Sequence, residues 1–304
     1  MRLNDFGKTG LKISAITYGG IVSTMGKYAN YTFPGNGQEA SDNYVSYALD
    51  AGINYFDVAP GYGDAQEKLG NSLDGVRDKV ILACKTAFRD YDSAARDAEQ
   101  SLKLLHIDHF DVYQLHALRN LDDVERAFAD SGVMRLMEEL KRSGTARHLG
   151  ITAHSEGAAL KAMELFDFET ILFPINWHMH KALGYGDRVL QKAREKSMGV
   201  LCMKSMIERG FNKDDDKLRK RWPKSWCVPF DPETQKDLLL AAMKYSVSLG
   251  IDTLIPAGDI EHFRFAVEYE DEIWGAPITE EEQRLLDTHF PLVQDSLFMP
   301  VQDR

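Results

Sequence analysis

The sequence predicts an α/β fold, a (β/α)8 (TIM-type) barrel with an N-terminal hairpin and one extra C-terminal helix. Three observations carry this. Eight short apolar runs alternate with stretches of helical apolar spacing. Runs such as Val80-Ile81-Leu82 and Thr170-Ile171-Leu172-Phe173 are apolar throughout, as strands covered on both faces should be. After the first run, Gly19-Gly20-Ile21-Val22 lacks the G-x-G-x-x-G spacing of an open dinucleotide-binding sheet, so closure is favoured.

In order, Asp5-Phe6-Gly7 and Lys8-Thr9-Gly10 are two close turn signals, and they predict a hairpin over 1–12 that caps one end of the body. Ile13 to Gly20 reads as the first strand. A loop with Gly26, Pro34, Gly35 and Gly37 follows, carrying Tyr28, Tyr31 and Phe33. Tyr44, Val45, Ala48 and Leu49 give a helix over 40–51, which Gly52 ends. Strands over 53–58, 79–85, 110–115, 147–152, 170–176, 199–204 and 251–255 then precede helices over 65–73, 93–105, 133–142, 156–166, 187–197, 233–248 and 259–270. Thr279-Glu280-Glu281-Glu282 opens a further helix over 279–290 with a capping-box pattern. The segment from Phe290 onward reads as an extended arm. There is no linker or low-complexity stretch, so residues 1–304 are expected to form a single domain.

At 44% hydrophobic and 27% charged, the composition supports a sizeable core. A net charge of −11 argues against a nucleic-acid or anionic-membrane surface. No apolar run approaches the ~20 residues of a membrane helix, and the N-terminus has no signal-peptide h-region. Cys84, Cys202 and Cys227 are widely spaced and odd in number, which suits a reducing cytoplasm.

The chemistry is carried by strand ends. Strand 53–58 ends near Asp57, and Ala59-Pro60-Gly61 then leads to Tyr62 in a glycine-flanked loop. The next two strands end in Lys85 and His116. In a closed parallel barrel these ends open on one face. A free phenol titrates near ~10, and an ammonium beside it favours the phenolate. Asp57 can balance Lys85, and a neutral His116 can donate to a carbonyl oxygen. Tyr62 would then protonate that oxygen, or deprotonate an alcohol in reverse. Such a site suits making and breaking an alkoxide.

The sequence resembles the aldo-keto reductase family over nearly its whole length. The resemblance is carried by Gly7-Lys8-Thr9-Gly10-Leu11-Lys12-Ile13-Ser14, the block Gly52 to Gly63, Lys85, Asp111-Val112-Tyr113-Gln114-Leu115-His116, Gly150-Ile151-Thr152 and Leu254-Ile255-Pro256. It implies an eight-fold barrel, a nicotinamide dinucleotide (usually NADPH), and interconversion of small-molecule carbonyls and alcohols. It also implies Tyr62 as general acid/base, Lys85 and Asp57 as its tuning pair, and His116 as the substrate-orienting donor. Hydride would come from C4 of the nicotinamide.

The cofactor positions depart from the family pattern. Where Ser-Asn commonly holds the carboxamide the chain has Thr152-Ala153, and Leu172 stands where a Gln is usual. Met203 takes the place of a stacking aromatic, with Lys204 beside it for the pyrophosphate. Gly258 opens a helix whose N–H groups suit an anion. Ala257 and Phe263 replace cations that bind a 2′-phosphate, leaving Arg264 to compensate, while Asp259 and Glu261 suit a ribose hydroxyl. The expected cofactor is NADP, with NAD open.

Further candidates lie outside this set. The charged loop 207–232 reads either as a lid that supplies phosphate cations or as a solvated loop packed by its tryptophans. Trp177 and Tyr28 are expected to line the substrate pocket. His178 and His180 sit at ligand spacing, but no further ligand is near in sequence and no metal is expected. Ser155 reads as a helix cap rather than a nucleophile. The alternative function is a dinucleotide-binding barrel with a regulatory or redox-sensing role; a metal-dependent hydrolase is a third reading.

Overall fold

The computed structural model describes residues 1–25, 27–28, 31–32 and 37–299, with backbone only at 27, 28, 31 and 32. Strands β1 (Leu3–Asp5) and β2 (Lys12–Ser14) pair antiparallel as the N-terminal hairpin. Then follow β3 (Tyr18–Gly19), the small ribbon of β4 (Lys27–Tyr28) and β5 (Tyr31–Thr32), α1 (Gly37–Asp50), β6 (Tyr55–Asp57), α2 (Ala65–Leu73), β7 (Ile81–Thr86) and α3 (Tyr91–Leu104). The chain continues through β8 (Phe110–Leu118), α4 (Leu121–Ala127), α5 (Val133–Ser143), β9 (Ala146–Ala153), α6 (Glu156–Leu165), β10 (Thr170–Pro174), α7 (Trp177–Leu183), α8 (Asp187–Glu195) and β11 (Gly199–Met203). It ends with β12 (Ile207–Arg209), α9 (Asp216–Arg221), β13 (Val228–Pro229), α10 (Lys236–Ser248), β14 (Thr253–Ile255), α11 (Ile260–Glu268), α12 (Glu270–Gly275) and α13 (Glu280–Val293).

Eight strands form one parallel sheet in the order β3-β6-β7-β8-β9-β10-β11-β14. Its two edges meet: Ile16 bridges Leu254, Thr17 N donates to Leu254 O at 2.8 Å, and Leu254 N donates to Ala15 O at 2.9 Å. The sheet is therefore nearly closed as a barrel, with helices outside.

The first strand is shorter than the Ile13–Gly20 expected. Asn54 reaches across instead: its Oδ1 accepts from Ser14 N at 2.7 Å and its Nδ2 donates to Lys12 O at 2.9 Å. This side chain holds residues 12–14 in the hairpin, and the ladder to β6 begins only at Tyr18. Three short helices were not expected, α4, α7 and α9. The first two are each started by an asparagine cap, Asn120 accepting from Asp123 N and Asn176 from His178 N and Met179 N. The helix expected over 259–270 divides into α11 and α12. At α13 the capping box of Thr279 and Glu282 is present.

The hairpin plugs one end of the barrel. Phe6 is fully buried with Ile13, Tyr55, Ala83, Val112, Leu172 and Leu201, its ring edge-on to Tyr55 at 5.5 Å. Burying such a ring contributes about 1.5–3 kcal/mol. Gly199, at the start of β11, is what admits it, since a Cβ there would lie 2.4 Å from the Phe6 ring. With this end filled, the barrel opens at the C-terminal ends of its strands.

The segment between β11 and α10 is anchored by a buried histidine. His262 of α11 sits edge-on to Trp222 at 5.5 Å, and its Nε2–H donates to Phe230 O at 3.0 Å. Burial pushes its pKa down to about 4. The folded protein therefore keeps this ring neutral where the unfolded chain, with an ordinary value near ~6.5, takes up a proton. Its contribution is complete above pH ~6.5 and is lost as pH falls toward about 4, at up to ~1.4 kcal/mol per pH unit. His154, pushed down to about 3, acts with the same sign. Asp252 and Asp259, both pushed up to about 6 by burial, act with the opposite sign. The informative quantity is thus a difference. His262→Gln retains a donor for Phe230 O, and its stability should fall less steeply than wild type between pH 6.5 and 4.5 in urea titrations. Parallel curves would show that the imidazole titrates alike in both states.

Candidate active site

Three neighbouring strands build the centre. Asp57 ends β6 and is buried; its Oδ1 accepts from the ammonium of Lys85 on β7, which has no exposed surface. Lys85 Nζ also lies 3.4 Å from Gln114 Oε1 on β8. Burial pushes the Asp57 carboxyl up and Lys85 pulls it back, leaving it above its ordinary range. Among the described residues, Asp57 Oδ2 and Gln114 Nε2 are buried without hydrogen-bond partners.

Tyr62 follows on the loop from β6, its backbone held by Ala59 O and by Thr24 Oγ1. Lys85 Nζ lies 5.9 Å from the centre of the Tyr62 ring. The His116 imidazole meets that ring edge-on at 6.2 Å. Burial holds His116 well below its ordinary range, and the cations Lys85, Arg89 and Arg119 add to the effect together with His154. The ring is neutral at physiological pH.

The His116 backbone is clamped. Pairing of β8 with β9 is irregular between Leu115 and Leu118, and Ala117 adopts a left-handed φ of 54°. Buried Arg89 donates to His116 O at 2.9 Å and Ala117 O at 3.2 Å, and Ala117 N donates to Thr152 Oγ1 at 2.6 Å. An irregularity of this kind re-aims a strand-end side chain.

Asp57, Tyr62 and His116 line one cavity of about 490 Å³, and so do Thr152, Met203, Lys204 and Gly258. Lys204 has φ 69°, and its Nζ lies 3.6 Å from Cys227 Sγ and 5.6 Å from the centre of the Phe298 ring. Two expected residues are elsewhere. Arg264 does not reach the cavity: it is exposed on α11, over the ring of Tyr47 at 5.8 Å. Trp177 is fully buried in the core, with its Nε1–H 3.3 Å from Ile207 O. It starts a helix under the Asn176 cap and packs against Phe230 and Phe290, so it does not line the pocket. The side chains of Tyr28 and Tyr31, and Phe33 altogether, lie outside the described residues. His178 is buried among aromatic rings, whereas His180 pairs with Tyr245 and Asp187.

The cavity also contains Arg119 and Met299, which the sequence did not single out, together with His154, Cys227 and, from the 207–232 loop, Lys224. One part of the 207–232 loop packs against the body and another part lines the cavity. Trp222 is buried, donating to the Glu261 carboxylate, while Trp226 lies over the cavity, 6.5 Å from the Tyr62 ring and 59% exposed. Lys224 is buried with its Nζ donating to Val22 O at 2.7 Å. Burial pulls its pKa down to about 8, against the pull of Asp259 and Asp64.

Comparison with known proteins decides the family: residues 25–251 match the model of the Aldo/keto reductase family. The chain belongs to this family. It is 32% identical to the aldo-keto reductase YhdN of Bacillus subtilis over 74% of this chain and 70% of that protein. It is 29% identical to the L-galactose dehydrogenase of Arabidopsis thaliana, over 50% of this chain and 48% of that one. The holo form of aldo-keto reductase AKR11C1 from Bacillus halodurans superposes with a TM-score of 0.70, covering 100% of this chain and 99% of the other at 19% identity. As an aldo-keto reductase, the chain is an oxidoreductase of carbonyls that uses a nicotinamide dinucleotide.

The residues present fit such a group. Cationic Lys204 and Lys224 suit a pyrophosphate, and Met203 offers a thioether to a ring. At Gly258 the wall is so close that a Cβ would lie 2.7 Å from Ile21 Cγ2 and 2.8 Å from Lys224 O.

Proposed function

We propose that this reductase acts on sugar-type, polyhydroxylated carbonyls, with Tyr62 as proton donor, the Lys85–Asp57 pair tuning it and His116 orienting the carbonyl. The bound nicotinamide supplies hydride. Tyr62 gives its proton to the carbonyl oxygen, and Lys85 favours the phenolate left behind. Asp57 pairs with the ammonium in a site where it has no contact with solvent. His116, neutral, donates to the same oxygen and sets its direction. Thr152, Met203, Lys204 and Gly258 hold the cofactor. The observation that carries this reading is that a buried ammonium and a neutral imidazole flank one phenol ring, at 5.9 and 6.2 Å, and that the phenol and the imidazole line one cavity with Asp57. The L-galactose dehydrogenase relative supports the sugar assignment.

Between the two dinucleotides, the charges favour NAD over the NADP expected from the family. Arg264, the cation on which a 2′-phosphate site depended, faces away over Tyr47. Asp259 lies beside Lys224 and Ser225 at the start of α11, where a carboxylate suits a ribose hydroxyl and opposes a phosphate. Three unpaired cysteines support a cytoplasmic setting, and among the described residues no helix is long and apolar enough to cross a membrane. The test is a fluorescence titration with NADH and NADPH followed by turnover on a panel of aldoses, ketoses and simple aldehydes. NADH should bind at least as tightly as NADPH and support turnover. Tight binding with no turnover anywhere on the panel would favour the regulatory reading instead.

A further inference from the structure

We propose that the substrate carries an anionic group, a carboxylate or a phosphate monoester, which Arg119 receives at the rim of the cavity. The proposal rests on the carbonyl-reducing reading above and names the class of carbonyl. Among the described residues, four with formal charge line the cavity: Asp57, Arg119, Lys204 and Lys224. The single carboxylate among them is already matched by Lys85, so the lining is cationic in a protein whose net charge is −11. A cavity of one sign concentrates ligands of the other.

The cofactor does not account for all of this charge. Lys224 is tied to Val22 O beside Asp259, at the Gly258 side of the cavity. Lys204 follows β11 and faces Cys227 and Phe298. Both suit the pyrophosphate. Arg119 comes from the end of a different strand, β8, three residues after His116 and past the irregular turn at Ala117. Its backbone N donates to Asp123 Oδ2 at 2.9 Å, but Asp123 Oδ1 is taken by Arg89. Among the described residues, the Arg119 guanidinium has neither an ion-pair nor a hydrogen-bond partner. His154 shares this part of the cavity, held neutral by burial and by the nearby charges of Lys204 and Arg119. These charges therefore repel any further cation, and an anion would relieve them. An exposed arginine fork beside the carbonyl-orienting imidazole matches the two oxygens of a carboxylate or phosphate.

The experiment compares matched aldehydes in the holoenzyme: 4-carboxybenzaldehyde against its methyl ester, and glyceraldehyde against glyceraldehyde 3-phosphate. Wild type should favour the anionic member of at least one pair by about 10-fold or more in kcat/KM, mainly through KM, as a charge-assisted contact allows. The pair that shows the preference identifies the anion. Raising salt should shrink it. In Arg119→Gln the ratio should fall toward one, and in Arg119→Lys it should recover in part. Equal use of both members by wild type, or a preference that survives in Arg119→Gln, would overturn the proposal. Calorimetry with terephthalate and with glycerol 3-phosphate on the enzyme–dinucleotide complex reads the anion site without turnover. If that binding depends on Arg119 while no aldehyde is reduced, the reaction is wrongly assigned and the anion site stands. Reduction without Arg119-dependent binding or preference leaves the reaction and removes the anion site.

Discussion

Tyr62→Phe should lower kcat for carbonyl reduction by roughly 10²–10⁴-fold, the usual worth of a positioned general acid, with dinucleotide affinity unchanged. The substitution is narrow. The ring keeps its edge contact with His116 at 6.2 Å and its contact with Trp226 at 6.5 Å, and the loop backbone keeps its bonds to Ala59 O and Thr24 Oγ1. Only the hydroxyl is lost. A proton donated in the transition state should cost kcat and kcat/KM alike, whereas a group that merely binds substrate would raise KM. Steady-state kinetics with a fluorescence titration of the cofactor separate these outcomes. Wild-type turnover in the mutant would move the acid to another group, with His116 the neighbour to examine next.

The barrel and its centre were legible for a local reason. Strands buried on both faces leave an apolar signature, and an ionisable residue at the end of such a run stands out against it. Asp57, Lys85 and His116 were visible in this way. Gln114 was legible in principle, because alternation puts it on the same face of β8 as His116, two residues on. Arg264 was legible too: in α11 the buried residues are His262, Phe263, Phe265 and Ala266, so helical phase turns residue 264 outward. What remained hidden depends on contacts distant in sequence. Met299 reaches the cavity along an arm held where Gly210 N donates to Ser296 O at 2.7 Å. Lys224 is placed by Val22, 202 residues earlier in the chain. Trp177 shows the converse limit, since an aromatic in a loop near strand ends reads as pocket lining until the Asn176 cap is seen to start a helix there.

Lys85→Met should both abolish turnover and destabilise the fold by about 3–5 kcal/mol, the cost of leaving one partner of a buried pair unmatched. Neither Lys85 nor Asp57 has meaningful contact with solvent, and Gln114 Oε1 cannot replace the cation. The Asp57 carboxyl, already above its ordinary range, should rise further and enter the folded state protonated. The sign follows. A folded state that binds a proton more tightly than the unfolded chain is favoured at low pH and loses that advantage as pH rises from the ordinary carboxyl value toward the raised one. Stability of Lys85→Met should therefore fall relative to wild type on going from pH 4 to 7, measured by urea denaturation. The double mutant Asp57→Asn/Lys85→Met separates fold from chemistry. With the orphan charge removed, it should regain much of the lost stability, because the two positions are directly coupled. It should remain inactive, because nothing then lowers the acidity barrier of the Tyr62 phenol. Recovery of activity along with stability would mean that the pair serves only the barrel, and the proton-transfer role assigned to Lys85 would be lost.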